Sequence, residues 1–155
     1  MDISIGDNAR REIAQNLKAV LGDTYVLYLK THIFHWNVVG PRFAEFHALF
    51  EKQYQDLWES LDEIAERIRS LGEFAPNSGG DMLKAAAQLK ETAAQSHTDM
   101  EMIKALLADN EGIIKTIRKA FDAAEKGGDE GTADLLVGRL KYHEKTAWML
   151  RAHLG

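Results

Sequence analysis

Apolar positions along the chain recur at intervals of three and four, the period of a helix that buries one face. Leu17, Leu21, Thr24, Tyr28, His32 and His35 share such a face. They predict a first helix that begins near Asp7 or Asn8, either of which can cap it, and ends at Gly40-Pro41. A second helix is predicted from about Arg42 to Leu71, with Gly72 as its stop. The stretch EFAPNSGG, Glu73 to Gly80, reads as a loop, and Asp81 then opens a short helix over Met82 to Leu89. A third long helix runs from about Ala93 to Lys126 and ends at Gly127-Gly128. Asp129 caps a fourth that reaches about His153. The two prolines, Pro41 and Pro76, both fall beside turn residues. No useful stretch alternates with the period of two that a half-buried strand needs, and there is no internal repeat or low-complexity tail.

The pattern therefore predicts an all-α chain with four long helices. Short turns join the first pair and the last pair, so each pair should be antiparallel neighbours. The middle connection is about twenty residues with its own short helix, long enough to cross the bundle. An all-α bundle of simpler topology is the alternative that connectivity alone leaves open. A length of 155 residues fits a single domain over 1–155, large enough to bury roughly two thirds of its unfolded surface.

Composition narrows the function classes. Apolar residues make up 45% and charged residues 28%, as in an ordinary globular protein. There is no cysteine, which removes disulfides and thiolate metal sites. The start, MDISIGDNARRE, lacks the basic and apolar regions of a secretory leader, and no apolar run reaches the roughly 20 residues that span a bilayer. The expected location is the cytoplasm, with no membrane partner. Net charge is -5, and Arg10, Arg11 and Lys18 near the start are offset by Asp2, Asp7 and Glu12. Nothing resembles the basic arm from which phosphate recognition begins.

The second helix carries the candidate chemistry. At about 100° per residue, with His47 at zero, Glu51 lies near 40°, Asp62 near 60° and Glu66 near 100°. Tyr54 and Trp58 lie on the same side. His47 and Glu51 are about 6 Å apart in rise, as are Asp62 and Glu66, but roughly 22 Å separates the two pairs. Metal–ligand bonds are near 2 Å, so one ion cannot be shared by both pairs of one chain. Packing this helix antiparallel on a copy, with a two-fold axis near residues 56 and 57, sets His47 and Glu51 of one chain against Asp62 and Glu66 of the other. Two equivalent sites result, as an isologous dimer requires. His35, near the end of the first helix, is the natural second nitrogen, and His32, one turn earlier, can support the site. Trp36 is placed to donate an electron to a reactive intermediate. Two histidines with three carboxylates suit iron. Either carboxylate or histidine pair alone would make an ordinary helix face; the combination points to metal. The Glu-x-x-His motif of a di-iron centre inside one bundle does not occur.

The segment HIFHWNVVGPRFAEFHALFEKQYQDLWESLDEIAERIRSLG, His32 to Gly72, closely resembles the Dps family, the mini-ferritins named for DNA protection during starvation. The resemblance rests on His-Trp-Asn followed by glycine three residues later, a histidine twelve residues after the first, and Asp-x-x-x-Glu-Arg. The final YHEKTAWMLRAHL is also similar. The resemblance implies a ferritin-like four-helix bundle with a long crossover between helices 2 and 3, in agreement with the predicted connectivity. It further implies a hollow homododecamer built from two-fold dimers. Iron-oxidising sites would be shared between subunits, with His35, His47 and Glu51 from one side and Asp62 and Glu66 from the other. Trp36 would lie beside the iron. Acidic residues line iron-entry pores in this family, and Asp129, Glu130 and Asp134 are the candidates here. DNA-binding members often use a lysine-rich tail, which this chain lacks at either end. Twelve copies at -5 make a shell of about -60 that repels phosphate.

The expected activity is that of a cytoplasmic ferroxidase and iron store. Hydrogen peroxide would be the preferred oxidant and dioxygen a slower one. One or two irons would bind each site, with Glu51 or Glu66 bridging a second, and ferric oxide would be stored in the cage. The alternatives are a nucleoid protein that coats DNA, with iron secondary, and a cage whose site prefers zinc.

Overall fold

A computed structural model describes residues 1–91 and 98–155. The helices are α1 (Asp7–Asn37), α2 (Phe43–Ser70), α3 (Gly79–Ala85), α4 (Asp99–Gly127) and α5 (Glu130–Ala152), and no strand occurs among the described residues. The expected start of the third long helix at Ala93 lies outside the described residues.

Partner numbers give the helix directions. His35 of α1 meets His47 of α2, and Tyr28 meets Trp58, so these helices run antiparallel. Asp23 bonds Thr116, and Lys30 bonds Asp109, which sets α1 antiparallel to α4 as well. Consequently α2 and α4 run the same way, and the link between Leu71 and Thr98 must return along the length of the bundle. Asp56 to Arg139 and Arg67 to Asp129 tie α2 to α5 in antiparallel sense. This is the crossover topology; the simpler bundle is excluded. Helix-spaced side chains fill the interior. Leu17, Val20, Leu21, Leu27 and Phe34 of α1, Phe46, Phe50, Leu57 and Ile64 of α2, Ile103, Ile113 and Ile117 of α4 and Leu136 and Leu150 of α5 belong to one buried cluster, in which Phe34 meets Phe50. Each large side chain contributes about 1.5–3 kcal/mol by leaving water.

Two expected boundaries are corrected. The N-cap of α1 is Gly6, and it makes no side-chain cap bond. Asp7 is already helical, and its carboxylate accepts from Arg10 at 2.6 Å instead of bonding the helix end. The short helix begins three residues and ends four residues earlier than expected. Ser78, not Asp81, caps it, by accepting from the Asp81 N–H. It stops at Ala85 because the next backbone N–H groups have a better acceptor. Ala87, Gln88 and Leu89 donate to Asp23 Oδ1 at 2.8–3.0 Å, and Thr116 Oγ1 donates to Oδ2 at 2.6 Å. Asp23 is wholly buried, so its charge is held by four donors rather than by water. Gly22 makes this grip possible: a Cβ there would lie 2.3 Å from the Ala86 nitrogen.

Three other ends agree with expectation, while α1 stops at Asn37, three residues before Gly40. Gly72 adopts a left-handed φ of 90° after α2, and Gly128 one of 68° after α4. Asp129 caps α5 by accepting from Thr132 N.

Candidate metal centre

The last turn of α1 and the first turns of α2 lie side by side, joined by a tight turn in which Phe43 N–H bonds the Gly40 carbonyl. That turn brings His35 against His47. Their rings stack with centroids 3.8 Å apart and planes within 18°. His35 Nδ1 lies 2.9 Å from the His47 carbonyl, and His47 Nδ1 lies 2.9 Å from the His35 carbonyl. A carbonyl only accepts, so each Nδ1 carries the hydrogen and each Nε2 keeps the lone pair through which imidazole binds a metal. The two bonds also fix both ring planes, the role that partners behind a ligating histidine ordinarily fill. Phe43 stacks on His47 at 4.9 Å and covers its outer side.

Glu51 follows His47 by one turn and is partly buried. Asp62 and Glu66 lie further along α2, and both are exposed. Neither pairs with a cation among the described residues. Within one chain and its described residues, no three metal-binding side chains converge. The chain thus presents an imidazole pair, with Glu51 one turn further along α2, and a separate carboxylate pair. Arg67, the last residue of the Asp-x-x-x-Glu-Arg stretch, turns away from them. It donates to Asp129 and Thr132 of α5 and so fixes the end of α2 on which Glu66 sits.

His32 is placed behind the imidazole pair. It stacks on Tyr54 at 3.9 Å, touches Trp36 at 4.3 Å and shares a hydrogen bond of 3.2 Å with Tyr28 Oη. Burial, and secondarily the neighbouring His35, pushes its pKa below the ordinary 6.5. Trp36 itself is 62% exposed. An open groove of 670 Å³ lies between α1, α2 and the crossover, lined by Leu21, Tyr25, Trp58, Asp62, Pro76 and Met82 among others.

The acidic candidates near the α4–α5 turn lie at the far end of the bundle from His35 and His47. Asp129 is buried, and its carboxylate is occupied by the cap of α5 and by Arg67. Glu130 and Asp134 are exposed. Phe43, Arg67 and the reciprocal histidine–carbonyl bonds are features that sequence reasoning missed. The only signal for the bonds is the twelve-residue histidine spacing, which by itself does not specify a contact.

The ferritin-like domain family model matches residues 14–155. An uncharacterised low temperature-induced protein of Nostoc sp. is 38% identical over 99% of this chain and 86% of its own length. DNA protection during starvation protein 2 of Bacillus anthracis is 35% identical over 94% of the chain and 98% of its own length. Among solved structures, a Dps protein of Vibrio cholerae superposes with a TM-score of 0.93 at 34% identity, covering 99% of this chain and 95% of that one. It is described as a member of a broad superfamily of ferritin-like diiron-carboxylate proteins.

Proposed function

The chain belongs to the ferritin-like family and, within it, to the Dps proteins, and on that premise we propose that it oxidises ferrous iron and stores the product. Iron is the substrate. His35 and His47 bind it through Nε2 together with Glu51, and Asp62 and Glu66 of a second copy complete the site across a two-fold axis. Glu51 or Glu66 bridges a second ion when two are bound. Twelve subunits enclose the ferric product, and Glu130 and Asp134, beside the engaged Asp129, line the entry route. The protein acts in the cytoplasm.

One observation carries this reading. Two imidazoles have their outer nitrogens freed by reciprocal bonds to backbone carbonyls, while the unpaired carboxylates lie about 22 Å away along the same helix. Only another copy brings the two groups together.

Hydrogen peroxide is the preferred oxidant and dioxygen a slower one. Two ferrous ions, one peroxide and two protons give two ferric ions and two waters, with no hydroxyl radical released. The chain's own contribution is positional: it orients the imidazoles, supplies compensating negative charge and excludes side reactions. DNA coating is not proposed, because a net charge of -5 per chain repels phosphate.

The test mixes anaerobic ferrous iron and peroxide with wild type and with the His47→Ala, Asp62→Ala double variant. Oxidation should collapse in the variant; equal rates would remove the assigned site. A gel shift at physiological salt should show no tight DNA binding, and metal analysis of the purified protein should show no preference for zinc.

A further inference from the structure

In the dimer proposed above, the two half-sites of one chain serve opposite ends of the interface. Aromatic rings in contact fill the seam between them. From the His35–His47 stack, Tyr54 lies edge-on to His35 at 5.2 Å, and His32 lies 6.1 Å from His35. His32 touches Trp36 and Tyr54 and reaches Tyr28, whose ring is 5.6 Å away and whose hydroxyl is 3.2 Å from His32 Nδ1. Tyr28 in turn lies 5.5 Å from Trp58. Trp58 precedes Asp62 by one helical turn, and both line the same groove. The series therefore begins at one half-site and ends at the other.

Packing does not account for its composition. Elsewhere the α1–α2 seam uses aliphatic and phenyl groups, and these are buried. Here two indoles, 62% and 61% exposed in the single chain, flank phenols and an imidazole. Indole and phenol are the side chains most readily oxidised by one electron, and Tyr28 has a hydrogen-bonded partner for the proton it must lose.

We propose that this ring series passes single electrons between the two iron-oxidising sites of a dimer, so that ferrous ions bound at different sites together reduce one peroxide. The proposal rests on the function inferred above. At the reacting site the O–O bond breaks, taking two electrons and two protons to form two waters. The ferrous ion there gives the first electron. The second leaves the ferrous ion at the other site and travels by way of Trp58, Tyr28 and Trp36. While Tyr28 is oxidised, its phenolic proton rests on His32 Nδ1, and it returns when Trp58 delivers an electron. The balance is two ferrous ions, one peroxide and two protons to two ferric ions and two waters, with every ring restored. A site holding one ion then avoids the one-electron cleavage that releases hydroxyl radical.

The experiment loads the assembled protein anaerobically with one ferrous ion per site and adds peroxide, comparing wild type with Tyr28→Phe and Trp58→Phe. Both substitutions keep a ring and remove the easily oxidised group. Ferrous binding isotherms serve as the control for intact sites. Wild type should oxidise two ferrous ions per peroxide without spin-trapped hydroxyl radical, and freeze-quenching should catch a neutral tyrosyl signal. Both variants should bind ferrous iron as wild type does, yet move toward one ferrous ion per peroxide with a several-fold rise in trapped radical, and Tyr28→Phe should lose the tyrosyl signal. Variants that match wild type in stoichiometry and radical yield would overturn the relay while leaving the sites intact. A wild type that binds no ferrous iron saturably would overturn the function itself.

Discussion

His35 and His47 hold each other: the Nδ1–H of each donates to the backbone carbonyl of the other at 2.9 Å, and the rings stack between those bonds. Neither ring has its plane set by its own helix alone. The pair behaves as one rigid group, and Asp62 and Glu66, its proposed complement, lie too far along α2 to meet it in the same chain.

Separation of the two groups predicts complementation between defective chains. Assemblies made only of His47→Ala, or only of Asp62→Ala, should lose iron oxidation. In a mixed two-fold pair, one site carries both defects and the other carries neither. Refolding the two variants together at equal ratio makes half the pairs mixed under random pairing, so about a quarter of the sites should recover. Stopped-flow oxidation of ferrous iron by peroxide measures this directly. Recovery at the level of background would mean that the ligands do not come from two chains.

Asp23 should be among the costliest residues to replace. Removing its carboxylate leaves three backbone N–H groups of the crossover and the Thr116 hydroxyl without their acceptor. Charged acceptors and orphaned donors together put the loss for Asp23→Ala at about 3–5 kcal/mol. At this chain length each kcal/mol moves the melting midpoint by about 2–4 °C. Guanidinium and thermal unfolding both report it. Gly22→Ala should be comparably damaging through collision with the Ala86 backbone rather than through lost bonds.

His143 should make the fold sensitive to mild acid. It is wholly buried between α4 and α5, with Nδ1 bonded to Asn110 Oδ1 at 2.9 Å and Nε2 facing Arg139 at 3.5 Å; Arg139 is in turn paired with Asp56 of α2. Tyr142 packs edge-on against it. Burial first, then the Arg139 charge, pushes its pKa well below the ordinary 6.5. A depressed pKa in the folded state means that the unfolded chain binds the proton first. Stability is therefore fully present above about pH 6.5 and is lost as pH falls below it, by up to about 1.4 kcal/mol per unit for this one group. Denaturation midpoints between pH 5 and 7.5 should show that slope in wild type, and His143→Gln should flatten it.

Much of the fold was legible because helix periodicity and turn glycines are local signals. The ends at Gly72, Gly128 and Asp129 were read from single residues whose chemistry acts on the spot. The short helix was misplaced because its stop is set by Asp23, more than sixty residues upstream, whose carboxylate competes with helix continuation for the N–H groups of Ala87 to Leu89. In the same way, the helix wheel set His47, Glu51, Asp62 and Glu66 on one side of α2, but the grip between His35 and His47 belongs to the contact of two helices, which no period encodes. His143 gave no signal: a histidine set between Tyr142 and Glu144 in sequence looks the same whether or not an asparagine faces it from another helix.

The clasp at Asp23 also sets an order of events. The groove beside Trp58 and Asp62 takes part of its wall from Pro76 and Met82, and the crossover that carries them is moored by a carboxylate inside the bundle. A chain whose crossover has come loose has no such wall to offer a neighbour. For the dimer proposed above, closure of the interior would therefore come before pairing: a subunit whose core has not closed would lack the shape its twin must recognise.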